Sequence, residues 1–567
     1  LDQAATIAAF LMKQPKKRRG IETMSRFRDK VLCVLIVFVP AIVGDLAAET
    51  ANLGHIDFPT SGSPAAQELF ERGVLLLHSF EYEDARQAFQ EAQEIDSDFA
   101  MAYWGEAMTH NHPLWRQRAR DEALAALHRL APTAQERQAK APTAREKAYL
   151  GTLEILYAEG EKLDRDRAYE EAMGRLAAHF PTDLDAASFH ALSVLGTAQG
   201  ERDFRVYMRA AAIAEEVFTK NPQHPGAVHY LIHSYDDPVH APLGLRAARV
   251  YADIAPAATH AQHMISHIFI ALGEWDEVIS ANQKSFAVSQ ERAVRKGLPK
   301  DRRNHHALHW LHYALLQQGR YEEARAKLEI MREDVRANDR SGNLWYLALM
   351  GASYFVQTGD FIPVEVDLDR VGIVGTGAYL YAKAGAALDR NEVESARQAS
   401  DELTRRLDEA KEAKQTESSG TGGANSPTDF EAIEVVTRQL RGLVAYRQGD
   451  QVRGLELLTE AVHLQDAMAF DFGPPSIVKP SHELLGEILL EREDFAASRR
   501  QFKAALLRYP RRIQSTLGLA RAEMASGNSA AAAMAFEEAR SIWAGAELNL
   551  PSSQDLGSSS VPTAAGN

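Results

Sequence analysis

The chain has 567 residues, of which 45% are hydrophobic and 25% charged, with a formal net charge of −15 and a pI near 5.8. That length exceeds one compact core, so several domains or one elongated array are expected. The acidic balance excludes general nucleic-acid binding, which needs a basic face.

In chain order, residues 1–23 read as an upstream extension. Residues 24–51 have the three parts of a secretory signal peptide: the basic stretch Met24 to Lys30, the apolar run Val31 to Val43, and small residues at Ala47, Ala48 and Ala51. The apolar run is shorter than the roughly 20 residues that span a bilayer as a helix; an uncleaved anchor is the alternative. The expectation is export to the periplasm or cell envelope of a bacterium, with membrane contact only in transit. The single cysteine, Cys33, lies inside this run. Its removal leaves no thiol, so a metal site must use His, Asp, Glu or backbone oxygen.

From Ser63 onward, amphipathic helices alternate with short turns. Gly73, Ala85, Phe89 and Ala92 are spaced 12, 4 and 3 residues apart; Gly486, Ser498, Phe502 and Ala505 repeat those intervals, with Pro510 beyond. Ala520, Ala532, Phe536 and Ala539 do so again. Gly200, Gly273, Gly319, Gly359, Gly449 and Gly527 punctuate the pattern as helix ends. The spacing predicts an all-α solenoid in two subarrays: 63–410, a linker at 411–428 around Ser-Ser-Gly-Thr-Gly-Gly, and 429–548. A Ser- and Gly-rich tail at 549–567 is expected to be disordered. Residues 111–141 read as an insertion or irregular repeat, and Phe361 to Val374 as a replacement for a second helix.

These positions and intervals resemble the tetratricopeptide repeat, a 34-residue helix-turn-helix unit. The resemblance implies close helix approach at the small residues, an aromatic filling the gap between hairpins, and a concave groove lined by the second, fifth and ninth residues of each first helix. Leu77-His-Ser-Phe80, Ala102-Tyr-Trp-Gly105, His229-Tyr-Leu-Ile-His-Ser-Tyr-Asp-Asp-Pro238 and Ser266-His-Ile-Phe269 are similar to a group of exported, histidine-rich bacterial tetratricopeptide proteins, over residues 55–330. That group brings a fold and an export route but no assigned activity.

Histidine is concentrated where the groove is expected, with eleven between His224 and His312. His190, His229, His263 and His309 are expected at matching places in successive units, at spacings of 39, 34 and 46 residues. His233 follows His229, His267 follows His263 and Tyr313 follows His309 at i+4, while His260 and His306 precede at i−3. Residues three and four apart share one helical face. His229, His233, His263 and His267 are therefore the candidate ligands for zinc, copper or iron. His190, His240, His260, His306, His309, Tyr313, Asp236 and Asp237 are candidate groove or ligand-binding residues, with the two aspartates suited to hold the far nitrogens of metal-bound rings. His78, His110 and His112 read as structural, and the tryptophans as gap fillers, with Trp310 a candidate pocket wall.

Standard catalytic signatures are missing: there is no H-E-x-x-H helix, P-loop, dinucleotide fingerprint or G-x-S-x-G elbow. Two readings stay open. The first is an interaction scaffold that takes a protein, peptide or small-molecule ligand in the groove and needs no cofactor. The alternative is a metalloprotein or metal-dependent enzyme with a transition metal on the groove histidines.

Overall fold

A computed structural model describes residues 52–546, apart from 116, 199–201, 339–340, 365, 417–426 and 471. The expected extension, signal peptide and tail, and the core of the expected linker, lie outside the described residues. The described residues form one compact unit.

The described residues contain 24 α-helices and one two-stranded ribbon. In order they are α1 (Pro64–His78), α2 (Tyr82–Ile95), α3 (Ala100–Met108), the ribbon β1 (Asn111–His112) with β2 (Gln117–Arg118), α4 (Arg120–Leu130), α5 (Ala134–Lys140), α6 (Ala144–Leu156), α7 (Lys162–His179) and α8 (Leu184–Gly196). There follow α9 (Phe204–Lys220), α10 (Pro225–Tyr235), α11 (Ala241–Ile254), α12 (Thr259–Leu272), α13 (Trp275–Arg295), α14 (His305–Gln317), α15 (Tyr321–Ala337) and α16 (Ser341–Thr358). The last are α17 (Gly372–Asp389), α18 (Val393–Thr416), α19 (Pro427–Arg447), α20 (Gln451–Ala467), α21 (Ser481–Glu491), α22 (Phe495–Arg508), α23 (Ile513–Ala525) and α24 (Ser529–Ile542). No described helix is long and apolar enough to cross a membrane.

Apart from α4 and α5, each helix packs on its neighbour in sequence, and first helices of several successive hairpins pack on each other, as α8 on α10, α10 on α12 and α14 on α16. That is a tetratricopeptide-like solenoid. The small-aromatic code works as a lock between hairpins. Phe89 on α2 is fully buried and lies between Gly73 on α1 and Gly105 on α3. A Cβ added at either glycine would lie 2.6 or 2.3 Å from its ring. Phe502 on α22 repeats this between Gly486 and Gly518, at 3.1 and 2.3 Å. Gly273 ends α12 in the left-handed region (φ 70°), which other residues adopt at a cost. A side chain there would also collide with the Pro510 carbonyl, 2.5 Å from the Cβ position.

The irregular segment after α3 is the β1–β2 ribbon followed by α4 and α5. The described residues between 359 and 371 form no helix, and α17 then packs on α16. Helix α18 runs into the stretch expected as a linker, and α19 packs on both α17 and α18.

The array curls onto its own middle from both ends. From the start of the array, the His229 ring bonds the His78 carbonyl (2.6 Å), Glu81 accepts from the His260 amide (2.9 Å), and Arg292 pairs with Asp84. On the other side, Arg512 donates to the Tyr313 hydroxyl (2.8 Å), and Trp275 and Trp543 donate to the carbonyls of Arg511 and Gln317 (3.0 Å each). The groove face of α10, α12 and α14 is thereby an interior, with His229, His233, His263, His267 and His309 all buried.

A candidate metal centre

Helix α10 packs on α12, α14 meets α12 through the rings of His306 and Trp310 on His263, and the second, fifth and ninth residues of the three helices line one strip. On α12 these are His260, His263 and His267; on α10 they are Gly226, His229 and His233; on α14 they are His306, His309 and Tyr313. Two triads result, and they cut across the quartet proposed from sequence. His229 and His233 are completed by His260 from the next hairpin, and His263 and His267 by His306 from the one after. Within each triad the three candidate ligand nitrogens lie within 4.8 Å of one another.

The far side of the rings fixes which nitrogen is free. His229 Nδ1 sits 2.6 Å from the His78 carbonyl, His263 Nδ1 2.7 Å from Asn282 Oδ1, and His267 Nδ1 3.1 Å from Asp236 Oδ2. Asn282 donates its own amide to the Val278 carbonyl (2.8 Å), which leaves its oxygen for the ring. His233 Nδ1 faces the same Asp236 oxygen at 3.4 Å. Carbonyl and carboxylate oxygens only accept, so these Nδ1 atoms carry the proton and each Nε2 keeps its lone pair. In the first triad the Nε2 atoms of His229, His233 and His260 are all buried and have no hydrogen-bond partner. In the second, His263 Nε2 and His267 Nε2 face each other at 3.1 Å.

Electrostatics favours the neutral form of five of these rings. Burial, helped by neighbouring rings, holds His229, His233, His260 and His263 below the usual histidine range and His306 at about 3. Burial alone would raise Asp236, but Arg202, 2.6 Å away, and the rings of His233 and His267 outweigh it and hold the carboxylate well below its ordinary value. Arg202 also pairs with Asp237 (3.1 Å), which in turn accepts from His240 Nδ1 (2.9 Å). Neutral imidazoles backed by a charged carboxylate are competent ligands at neutral pH.

The walls are aromatic. Phe80 packs edge-on to His229 (4.3 Å between centroids) and near His260 (5.6 Å), beside Trp115. Trp310 is buried, stacks on His267 (4.5 Å) and stands edge-on to His263 (4.6 Å). Gly473 lies against Trp310, and Phe472 stacks beyond His267 at 6.1 Å. Outside His306, a cleft of about 540 Å³ is lined by Phe80, Glu81, Tyr82, His112, Arg302 and Tyr346, among others. Burial pushes the Glu81 carboxyl at this mouth up to about 7, against the opposing pull of the His260 amide.

Other expected residues lie elsewhere. His190, expected at the equivalent place, is the seventh residue of α8 rather than the fifth and is turned aside to Glu170 (3.0 Å). His309 is buried against Trp345 and Tyr346, and Tyr313 is held by Arg512. His78 has its nitrogens on Tyr230 and Asp185 (2.9 Å each), and His224 reaches the same carboxylate at 3.4 Å. In that third cluster both histidines share Asp185 Oδ1, while Asp185 Oδ2 is buried without a hydrogen-bond partner. Asn282, Arg202, Tyr346 and the His78 carbonyl carry no sequence signal for their roles, because each meets the rings only through the packing of separate helices.

Fold and site together describe a helical-repeat protein whose inner strip holds two histidine triads. No family model matches the chain, and no curated protein does. Solved structures similar to it include Cut9 in the Cut9–Hcn1 assembly of the APC/C, 11% identical over 90% of this chain and 79% of that one (TM-score 0.34). Human IFIT1, solved as a dimer with m7Gppp-AAAA, is 13% identical over 88% and 94% (TM-score 0.33). Yeast Tom70 is 12% identical over 84% and 92% (TM-score 0.26). Likeness at this level says nothing about ligands, and the repeat architecture stands on the helix packing itself.

Proposed function

We propose that the chain is a metalloprotein in which His229, His233 and His260 hold a transition-metal ion inside a helical-repeat scaffold. One observation carries this reading: three buried Nε2 atoms converge with no hydrogen-bond partner. An orphaned buried polar atom costs about 1–3 kcal/mol, so three at one point call for a shared occupant. Zinc, copper and iron all suit imidazole. Three protein ligands leave a fourth position open, as in catalytic rather than structural sites. An ion there supplies Lewis acidity or activates water, and the cleft beside Phe80, Glu81 and Tyr346 offers a route for a small ligand.

The scaffold reading keeps one supporting observation. The same cleft is open and carries charges of both signs, including Glu83, Arg86, Arg292 and Arg302, which suits a polar peptide or ligand. Under either reading, the order of basic, apolar and small residues across 24–51 supports export. The protein N-terminus in an envelope fraction checks that part.

The deciding measurement is elemental analysis of the protein purified without chelator or histidine tag. The expected result is at least one equivalent of transition metal, lowered when His229 and His233 are both replaced by Ala. A folded protein that is metal-free and refuses added zinc, copper and iron overturns the proposal and leaves the scaffold.

A further inference from the structure

The second triad has its own signature. Nδ1 of His263 and of His267 each meets an oxygen acceptor, Asn282 Oδ1 and Asp236 Oδ2. In neutral rings both Nε2 atoms are then bare, yet they face each other 3.1 Å apart. Two lone pairs at that distance repel unless a proton or a metal ion sits between them. Metal–nitrogen bonds of about 2.0–2.1 Å turn this separation into an N–metal–N angle of roughly 100°. His306 closes the third side, its ring 4.5 Å from that of His263 and its Nδ1 3.2 Å from the Tyr346 hydroxyl.

The triads are neighbours. The rings of His233 and His267 are 5.4 Å apart between centroids and those of His260 and His263 6.0 Å apart, while Asp236 Oδ2 backs one ring of each triad. Resting on the metalloprotein reading, we infer that the six histidines form one dinuclear centre that takes two copper(I) ions.

Charge and ligand type select that ion. All six ligands are neutral imidazoles, so no charge is cancelled in the coordination shell. The buried acidic groups behind the rings are Asp236 and Asp237, and Arg202 offsets one of them. One negative charge remains, which two monovalent ions exceed by one and two divalent ions by three. Uncompensated charge in a buried site is costly. Copper(I) is also a filled-shell ion that accepts three nitrogen ligands without a preferred fourth. The walls of Phe80, Trp310 and Trp115 supply no anionic ligand.

The test uses the full chain, stripped with chelator and dialysed without oxygen against equimolar copper(I) and zinc(II). Metal per chain is then measured after desalting, and copper K-edge absorption is recorded. The expectation is two copper ions per chain, each with three nitrogen neighbours, and little zinc. His229→Gln and His306→Gln, each checked for wild-type helicity by circular dichroism, should each retain one copper and lose one. One copper per wild-type chain, or a variant that keeps both, overturns the pair. Two zinc ions held in preference to copper overturn the choice of ion while the metalloprotein reading stands. No bound metal overturns both.

Discussion

Asp236 is the residue on which the two triads depend together. Its carboxylate accepts from His267 Nδ1 at 3.1 Å and faces His233 Nδ1 at 3.4 Å, one ring from each triad. Asp236→Asn keeps the shape and removes the charge. Arg202 keeps Asp237 at 3.1 Å, so the guanidinium does not become an unpaired buried charge. Losing the carboxylate behind a ligating histidine lowers its basicity and loosens its tautomer, at a typical cost of 10–100-fold in metal affinity. That corresponds to about 1.4–2.8 kcal/mol per site. Both sites should weaken together.

Asn282→Ala provides the contrast. Asn282 holds only His263, through a 2.7 Å contact, so its loss should weaken the second site by a similar factor and spare the first. Affinities are read by competition against a chromophoric chelator, with thermal melts of the metal-free proteins as the control for folding. The reasoning is refuted if Asp236→Asn binds like wild type, or if Asn282→Ala weakens both sites equally at unchanged stability.

Three further outcomes are expected. Burial holds the His78 imidazole at about 4, against 6.5 in the unfolded chain. Its folded pKa is lowered, so its contribution is full above pH 6.5 and is lost as pH falls toward 4, by about 2 kcal/mol at pH 5; urea midpoints of the metal-free protein that stay flat from pH 7 to 5 contradict this. Arg512 is buried on Glu483, and Arg512→Ala leaves that carboxylate to Lys479 (3.1 Å) and Ser515 (2.6 Å) alone. The loss should be about 1–3 kcal/mol, seen as early proteolysis within α21–α24, and unaltered cleavage would refute it. Gly518→Ala forces a methyl to within 2.3 Å of the Phe502 ring and should cost about 1–3 kcal/mol in chemical denaturation, whereas a neutral effect would mean the hairpins can part.

The repeat architecture was legible because its code is local. Intervals such as Gly73, Ala85, Phe89, Ala92 report which small residue meets which aromatic within one or two hairpins, and the structure puts Phe89 against Gly73 and Gly105. The i, i+4 pairs His229/His233 and His263/His267 were legible for the same reason. Their third partners were visible only as groove residues, since joining His260 to the preceding pair requires the stacking offset of α10 and α12. Closure was not legible at all. Phe80 and Phe472 meet the histidines across more than a hundred residues of chain, and nothing periodic marks them. His190 misled because spacing along the chain was taken for position in the helix, and α8 begins two residues earlier relative to its histidine.

The stacking offset also accounts for why the triads are two. The fifth and ninth residues of one first helix meet the second residue of the next. Applied to α8 and α10, that rule gathers Ser188, Leu192 and Gly226, which hold no ligand, and the His78 ring fills the space a Cβ at Gly226 would need. Applied to α10 with α12, and to α12 with α14, it gathers three histidines each time. Applied to α14 and α16, it gathers His309, Tyr313 and Gly342, and the Tyr313 hydroxyl is engaged by Arg512 from the last repeats. The column therefore stops on one side at a ring packed into a glycine gap and on the other at the docking of the array's own far end. Its six central positions carry imidazoles whose stereochemistry is set by helices rather than loops, the placement that holds metal ligands most rigidly.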